Sequence, residues 1–526
     1  MRFLHLLAPA LTLSVLATTA GCESSDALEV PLYPVPFKAA DGRLQIFDGS
    51  KFEPLFIKGM NMGVALPGTQ PGELAPTEAD YDRWFSMLAE MGVNSIRLYT
   101  LHYPRFYKRL HFYNVTHPTK PLYVFHGIWL DEENPTLNLH DMQSGYDDNI
   151  VETIECVHGN NFVFERKGRA HGEYDTDISP WVIGWIIGRE VFPDEVQTTN
   201  ALPERRTRYG GGYVSLPSGS ETAVWWAERI DKVIAYEATR YHVYRPISVS
   251  SWPTLDPLHH PTEGSGASED LEELDLANLD TTGFPAGYFA SYHAYPYYPD
   301  WMSEDPAYTG ERDVWGPNSY LGYLKTLRAH YHPKPLVIGE VGVPSSWGNA
   351  HFAHSGMSHG GQDEVQQGKD DVRLFHNAYD AGTGGAILFA WIDEWWKRTW
   401  IVDELALPRE RYKLWHNVTS PEQNFGLLAF ELDPPDFAMF EPTTGSGRVT
   451  EVRMAADAEF FHVKIALGSA LGDGEVLTIG YDTYADDRGE SILPNGKKTT
   501  QRSELALTIT RQGADLVVTE AYDQFG

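Results

Sequence analysis

Two glutamates stand where a folded chain could use them as a pair. Glu190 ends the run Trp181-Val182-Ile183-Gly184-Trp185-Ile186-Ile187-Gly188-Arg189-Glu190, and Glu340 sits in Pro335-Leu336-Val337-Ile338-Gly339-Glu340-Val341-Gly342. Short apolar runs bounded by Gly and Pro read as buried strands, so each run delivers one carboxyl at a strand end. Two carboxyls in different surroundings can divide acid and nucleophile duties, one keeping its proton to give away and the other staying ionised to attack.

Bringing both carboxyls to one face requires a frame, and the sequence supplies one by repetition. Strand runs fall at Phe56 to Asn61, Val93 to Tyr99, Leu122 to Phe125, Trp181 to Ile187, Pro246 to Val249, Phe289 to His293, Pro335 to Ile338 and Ala386 to Phe389. Helical spacing separates several of them. Thr77-x-x-Asp80 opens one helix like a capping box, Tyr81, Trp84, Phe85, Leu88 and Met91 repeat along it, and Gly92 closes it. Trp226, Ile230, Val233 and Ile234, and later Tyr320, Leu324 and Leu327, continue the alternation. Eight strands are the number that closes a (β/α)₈ TIM barrel, whose chemistry sits at the C-terminal ends of the strands. An open doubly wound sheet is the alternative, but no Gly-rich phosphate loop accompanies it. The expected fold class is therefore α/β, a (β/α)₈ TIM barrel with a C-terminal β-sandwich domain.

Carboxylates ending strands four and seven make residues 42–425 resemble glycoside hydrolase clan A. The resemblance implies a retaining glycoside hydrolase or transglycosylase acting on a β-linked polysaccharide, with Glu190 as acid/base, Glu340 as nucleophile and no cofactor. Such a mechanism needs its two carboxyls about 5 to 5.5 Å apart. Glu340-Val341-Gly342-Val343-Pro344-Ser345 is similar to the nucleophile region of glycoside hydrolase family 17, and Ile96-Arg97-Leu98-Tyr99 to strand two of fungal glucanosyltransferases, which makes β-glucan the preferred polymer.

Further substrate-binding candidates lie at the same strand ends. Arg97, with Tyr99 after it, matches the arginine that the clan places beside the nucleophile, where its charge keeps Glu340 ionised; a surface salt-bridging arginine is the plainer alternative. His293 and Tyr295 end strand six, with His293 preferred and a core histidine as the competing reading. Trp391 is positioned like the clan's sugar-stacking tryptophan, and Asp393 and Glu394 follow it among Trp395, Trp396 and Trp400. Rings stack on sugar faces while charges bind hydroxyls. Arg189 departs from the pattern, because the clan has Asn there to contact the sugar 2-hydroxyl. Either Arg189 takes over that contact or it pairs with a carboxylate. The departure also motivates an alternative function, a catalytically inactive surface glycan-binding lipoprotein. Glu190 is expected to hold its proton through an apolar strand end and a neighbouring negative charge. His351, His354 and His359 raise a metal site, but they lack HExxH-type spacing and sit among Gly356, Gly360 and Gly361, so no metal is assigned.

Lys and Arg number 41 against 73 Asp and Glu, a net charge of −32. That surface repels phosphate backbones, which argues against nucleic acid, and is indifferent to neutral sugars. Arg2, an apolar run through Leu4, Leu11 and Val15, and Thr19-Ala20-Gly21-Cys22 read as a signal peptide ending in a lipobox. Lipidation of Cys22 would tether the protein to a membrane of the bacterial cell envelope, periplasmic or surface-exposed; an ordinary signal with a chance cysteine is the alternative. Cys156 is the other cysteine, expected to be a buried, inert thiol. The expected organisation is leader and lipobox at 1–22, linker at 23–41, barrel at 42–425 and accessory β-sandwich at 426–526. The sandwich rests on alternation at Phe461, Val463, Ile465 and Leu467 and at Leu505, Leu507 and Ile509, and Asp457 to Phe461 and Gly480 to Thr483 give it a likeness to carbohydrate-binding modules. Asp48-Gly49 suggests a hairpin, and the acidic segment 257–282 a solvated loop or lid.

Overall fold

The computed structural model describes residues 33–263, 272–397 and 417–518, without 431–435, 438–441, 445–446, 457–460 and 483–488. Cys22, the leader and Trp400 lie outside the described residues. The chain divides into two compact units, one ending at Phe430 and one beginning at Glu431.

The first unit is a closed barrel of eight parallel strands: β1 (Ile57–Asn61), β2 (Ser95–Leu98), β3 (Tyr123–Ile128), β4 (Val182–Ile187), β5 (Ile247–Ser251), β6 (Ala290–His293), β7 (Leu336–Val341) and β8 (Gly385–Leu388). Neighbours in space are neighbours in sequence, and β8 pairs with β1 to close the ring. β4, β5 and β7 are buried along their whole length, as strands covered on both faces must be, which is why β4 reads as an unbroken apolar run and β7 as one interrupted only at Glu340, while β5 alternates small serines with Ile247 and Val249. The helices are α1 (Glu78–Met91), α2 (Pro104–Thr116), α3 (Leu139–Val157), α4 (Pro193–Asn200), α5 (Glu221–Tyr241), α6 (Ser319–Tyr331) and α7 (Glu364–Asp380), besides shorter turns. Among the described residues, the β5 to β6 connection carries a single 3₁₀ turn and no α-helix.

α1 shows how local sequence sets an element. Asp80 accepts from the Thr77 backbone N–H at 2.9 Å while the Thr77 hydroxyl accepts from the Asp80 N–H at 3.3 Å, and Gly92 ends the helix at φ +87°. Tyr81, Trp84, Phe85 and Leu88 are buried, each worth about 1.5–3 kcal/mol. Met91 is 53% exposed, outside the stripe to which its spacing assigns it.

The N-terminal end of the barrel is plugged. Strands Phe37–Ala40, Arg43–Phe47 and Phe52–Leu55 form a small antiparallel sheet whose second turn contains Asp48 and Gly49. Its Phe37, Ala39 and Leu44 pack against Ile57, Phe125, Ile183, Phe289, Val337 and Ile387. Residues 37–41 therefore belong to the folded barrel and not to the linker expected through 41. At the other boundary, Gly426 donates to Asp393, Leu427 to the Ala390 carbonyl and Leu428 to the Trp391 carbonyl, so 426–428 also belong with the barrel.

A buried charge cluster fixes β4 to the helices behind it. Glu237 of α5 accepts from Arg245 at 2.6 Å and from the Trp185 indole at 2.9 Å, and lies 2.9 Å from His158. Burial raises its pKa, but the Arg245 and His158 charges and these hydrogen bonds outweigh that and hold it at about 2.

Segment 257–282 is not simply solvated where described. Leu274, Leu276 and Leu279 are buried, and His260 stacks on Trp301 with centroids 3.4 Å apart. Acidic composition hid three well-spaced leucines. Cys156 is buried, and burial pushes its thiol up to about 12.

In the second unit, strands Thr443–Thr444, Val449–Ala456 and Phe461–Leu467 form one antiparallel sheet, Leu477–Tyr481, Leu505–Ile509 and Ala514–Val518 another, and Glu490–Ile492 pairs with Lys498–Ser503. Strands fall where alternation places them, but the buried side differs. Phe461 is 58% exposed, and Ala455 and Ala506 are the buried hydrophobics among the described residues.

Candidate active site

The mouth of the barrel opens on a cleft of about 590 Å³ that contains Glu190 and Glu340. Glu340 lies in β7 with its carboxylate turned into the mouth. Gly339 beside it has no room for a side chain, since a Cβ would come within 2.5 Å of the Ser291 hydroxyl. Its carbonyl accepts from Asn61 at 3.1 Å and Arg97 at 3.2 Å. Glu190 follows the turn after β4, where Gly188 takes φ +80° over the Trp226 ring; a Cβ there would meet the ring at 2.2 Å.

Four groups converge on Glu340. Tyr99 donates to Oε1 at 2.7 Å, Tyr295 to Oε2 at 2.9 Å and Arg97 to Oε1 at 3.2 Å, while His293 Nε2 lies 3.5 Å from Oε1. Arg97 is buried, also donates to Ser250, and lies 4.5 Å over the Tyr99 ring centroid, so it is no surface arginine. Burial alone would raise the pKa of Glu340, but the His293 and Arg97 charges and the two tyrosine hydrogen bonds bring it below the ordinary value. Burial lifts both phenols well above their usual range, and the charge on Glu340 adds to the effect, so both remain donors.

His293 bridges the pair. Its Nδ1 is 2.7 Å from Glu190 Oε1, and one ligating atom from each of Glu190, His293 and Glu340 lies within 4.8 Å of the others. Glu190 keeps 37% of its side chain exposed, so its setting is an open cleft wall and not the apolar pocket expected for it.

Arg189 lies in the cleft wall, but its guanidinium is committed to other partners. Nε donates to the Asp131 carbonyl, Nη1 to the Glu190 carbonyl and Glu195, and Nη2 to the Asp131 carbonyl and Glu195, all between 2.9 and 3.2 Å. A guanidinium has five N–H donors, so none remains for a sugar hydroxyl. The carboxylate-pairing alternative describes Arg189, whose donors go to Glu195 and backbone carbonyls and not to a substrate hydroxyl. Glu195 also accepts from the Phe192 N–H and from Asn134. Burial raises its pKa, yet Arg189 and these donors hold it low.

Trp391 is also misplaced by the sequence reading. It is 2% exposed and packs edge-on against Trp84 of α1, with centroids 6.4 Å apart. Its indole is core. The aromatic groups lining the cleft are Tyr99, Trp129, Phe192, Phe389 and Trp396. Asp393 lines the cleft while anchoring the Gly426 N–H at 2.7 Å. Glu394 pairs with Lys397 at 2.7 Å, and burial holds its carboxyl above the usual range against the opposing lysine. Lys397 also reaches Glu422 at 3.3 Å.

His351 and His359 stack on each other with centroids 5.7 Å apart, but each pairs with its own carboxylate, His351 lying 3.0 Å from Asp300 and His359 3.0 Å from Glu422, while the His354 N–H donates to the Ser303 hydroxyl at 3.0 Å. Among the described residues, the His and carboxylate group compact enough to hold a metal is Glu190, His293 and Glu340 itself.

Cleft residues that sequence reasoning missed include Asp131 and Glu132 after β3, His102 after β2, and Arg166 and Arg169. The two arginines belong to a hairpin between strands Asn161–Val163 and Gly172–Tyr174. Its tip touches the loop after β1, where a Cβ on Gly72 would approach the Gly168 Cα to 2.9 Å. Loop residues immediately after predicted strands were the available signal for Asp131 and Glu132.

No family model and no curated protein matches the sequence. Among solved structures, the chain is similar to a Bacteroides uniformis β-glucuronidase covalently bound to cyclophellitol-6-carboxylate aziridine, at 14% identity and TM-score 0.38, with 68% of this chain and 32% of that one covered. It is similar to an endo-laminarinase from Formosa Hel1_33_131, at 15% identity and TM-score 0.39 over 71% and 82% of the two chains. A β-mannanase from the blue mussel Mytilus edulis gives 13% identity and TM-score 0.34 over 70% and 94%. The chain spans about a third of the length of the two Bacteroides uniformis β-glucuronidases, 32% of each.

Proposed function

We propose that this protein is a retaining glycoside hydrolase or transglycosylase acting on a β-linked polysaccharide. The observation that carries the reading is that a carboxylate oxygen of Glu190 and one of Glu340 lie within 4.8 Å of each other at the barrel mouth, with His293 between them, near enough for the paired carboxyls of a retaining mechanism, whose groups stand roughly 5 to 5.5 Å apart. Glu340 attacks the anomeric carbon as Glu190 gives its proton to the departing glycosidic oxygen, leaving a glycosyl ester on Glu340. Glu190 then takes a proton from water, or from a sugar hydroxyl in transfer, and that oxygen displaces Glu340. His293, between the carboxyls, is placed to hold their relative position through both steps. β-Glucan is the first polymer to test, on the strength of the Glu340 to Ser345 and Ile96 to Tyr99 likenesses.

The inactive-receptor alternative rested on Arg189. That side chain is held by Glu195 and by the Asp131 and Glu190 carbonyls and leaves the two carboxyls paired with His293, so no observation favours it. Attachment to a bacterial envelope membrane through Cys22 remains part of the proposal, supported by the lipobox-like Thr19-Ala20-Gly21-Cys22. Cys22→Ser should move the protein out of the membrane fraction.

The deciding experiment is product analysis on β-glucan, mannan and xylan with Glu340→Ala and Glu190→Ala. Loss of several orders of magnitude is expected for Glu340→Ala. Azide or an activated leaving group should rescue Glu190→Ala with retained configuration, whereas neither should rescue Glu340→Ala through a retaining route. Inverted product stereochemistry, or identical responses of the two variants, would overturn the assigned roles.

A further inference from the structure

Beside the catalytic cleft lies a second recess of about 320 Å³, between the loop after β3 and the first turns of α3. Trp129, Asp131, Asn149 and Arg169 line both spaces. The partition between them is an ion pair from Arg169, at the hairpin tip, to Asp131. Both side chains are substantially exposed, at 42% and 61%, so the partition is a surface pair that solvent and a ligand can rearrange at little cost.

We propose that this recess is a distal subsite for the glycan whose cleavage is assigned above to Glu190 and Glu340, holding a neutral, hydroxyl-rich saccharide unit. The inference rests on that functional reading and extends it. Three observations support it. Trp129 lines both spaces, and an aromatic residue beside polar groups is what a pyranose needs, since its C–H face stacks while its hydroxyls bind the rim. The rim carries Asp131, Glu133 and Asp141 against Arg169, a balance that favours hydroxyl donors and repels uronates or sulfate esters.

The third observation is Gly145. It lies within α3, where a glycine forgoes stability that alanine would supply, yet no atom lies within 4 Å of where its Cβ would be. Packing does not require the missing side chain. A large side chain grown from Gly145 would enter open space at the wall of the recess.

The test uses the full chain and a series of β-linked glucose and mannose oligosaccharides from disaccharide to hexasaccharide, reading kcat/KM for the longest relative to the shortest. In the wild type this ratio should rise roughly tenfold, the size of a stacked ring with one or two hydrogen bonds. Gly145→Phe, which fills the recess, should abolish the rise, and Gly145→Ala should keep it. Asp141→Arg, at an exposed rim position that leaves the helix core untouched, should lower the ratio in the same direction and guards against a folding defect in Gly145→Phe. Hydrolysis without dependence on length in the wild type, or an unchanged ratio in both Gly145→Phe and Asp141→Arg, overturns the subsite alone. Failure to hydrolyse any substrate in the series overturns the enzymatic reading and the subsite together.

Discussion

Removing the hydroxyl of Tyr295 tests the electrostatics of Glu340, the proposed nucleophile, most directly. Tyr295 is the donor to Glu340 Oε2, at 2.9 Å, whereas Oε1 is served by Tyr99 and Arg97. A hydrogen bond to a charged group contributes about 1.5–3 kcal/mol, and one pKa unit corresponds to about 1.36 kcal/mol, so complete loss would raise the pKa of Glu340 by about 1 to 2 units. The cleft can admit water in place of the hydroxyl, which favours the lower end, about 1 unit. The sign follows from the direction of the native shift. Glu340 is held below the ordinary carboxylate value, so losing a donor moves it back up, and the nucleophile becomes protonated at a higher pH. The assay is the pH dependence of kcat/KM for Tyr295→Phe with an aryl glycoside, a substrate whose leaving group needs no proton from Glu190. This quantity reports the free enzyme. The acid limb should move up by about 1 unit, and Tyr99→Phe should move it the same way. An acid limb that stays in place in a folded Tyr295→Phe would refute the assignment of that limb to Glu340 or the contact itself.

Two further outcomes follow from buried charges behind the site. Arg189 and Glu195 form a two-pronged pair with both side chains almost fully buried, so Glu195→Ala strands a guanidinium and should cost about 3–5 kcal/mol in urea unfolding. Arg189→Met with Glu195→Leu should recover most of that loss; a single-variant cost under about 1 kcal/mol would show that the pair does not hold the turn. Glu237, held at about 2, stabilises the fold fully above its unfolded value of about 4.3 and loses that contribution as pH falls toward 2. The lost stability is on the order of 3 kcal/mol, and unfolding midpoints between pH 5 and pH 3 should depend less on acid in Glu237→Gln than in the wild type. Equal acid dependence in the two would sink the argument.

The barrel was legible because most of its strands are buried on both faces, which writes β3, β4 and β7 into the sequence as largely apolar runs and leaves the rest marked by shorter apolar stretches between helical patterns. That same property located Glu190 and Glu340. Side-chain direction beyond a strand end was not legible. Trp391 follows β8 closely enough to look like part of the mouth, but its backbone N–H is tied to the Asn61 carbonyl and its ring turns outward onto α1. For Arg189 the deciding partner, Glu195, lies past a proline turn at the start of α4, where its carboxylate also accepts from the Phe192 N–H. Two such uses of one carboxylate leave no periodic trace. The hairpin bearing Arg166 and Arg169 escaped notice because its strands, Asn161–Val163 and Gly172–Tyr174, are three residues each, too short for alternation to show. Segment 257–282 misled in the opposite way, since its carboxylates dominate the composition while Leu274, Leu276 and Leu279 do the packing.

The small sheet that plugs the barrel also sets a direction. Its backbone is tied to the loops entering the strands, with Ala39 donating to the Ala286 carbonyl, Gly42 to Pro333, and Tyr244 to Pro34. The chain before residue 37 therefore leaves from the pole opposite the cleft. With a lipid on Cys22, the path to Tyr33 is 33 − 22 = 11 residues, a leash of at most about 40 Å when fully drawn out. A tether proposed at Cys22 would therefore join the barrel at its plugged pole, leaving the mouth that holds Glu190 and Glu340 at the far end of the barrel from the point of attachment.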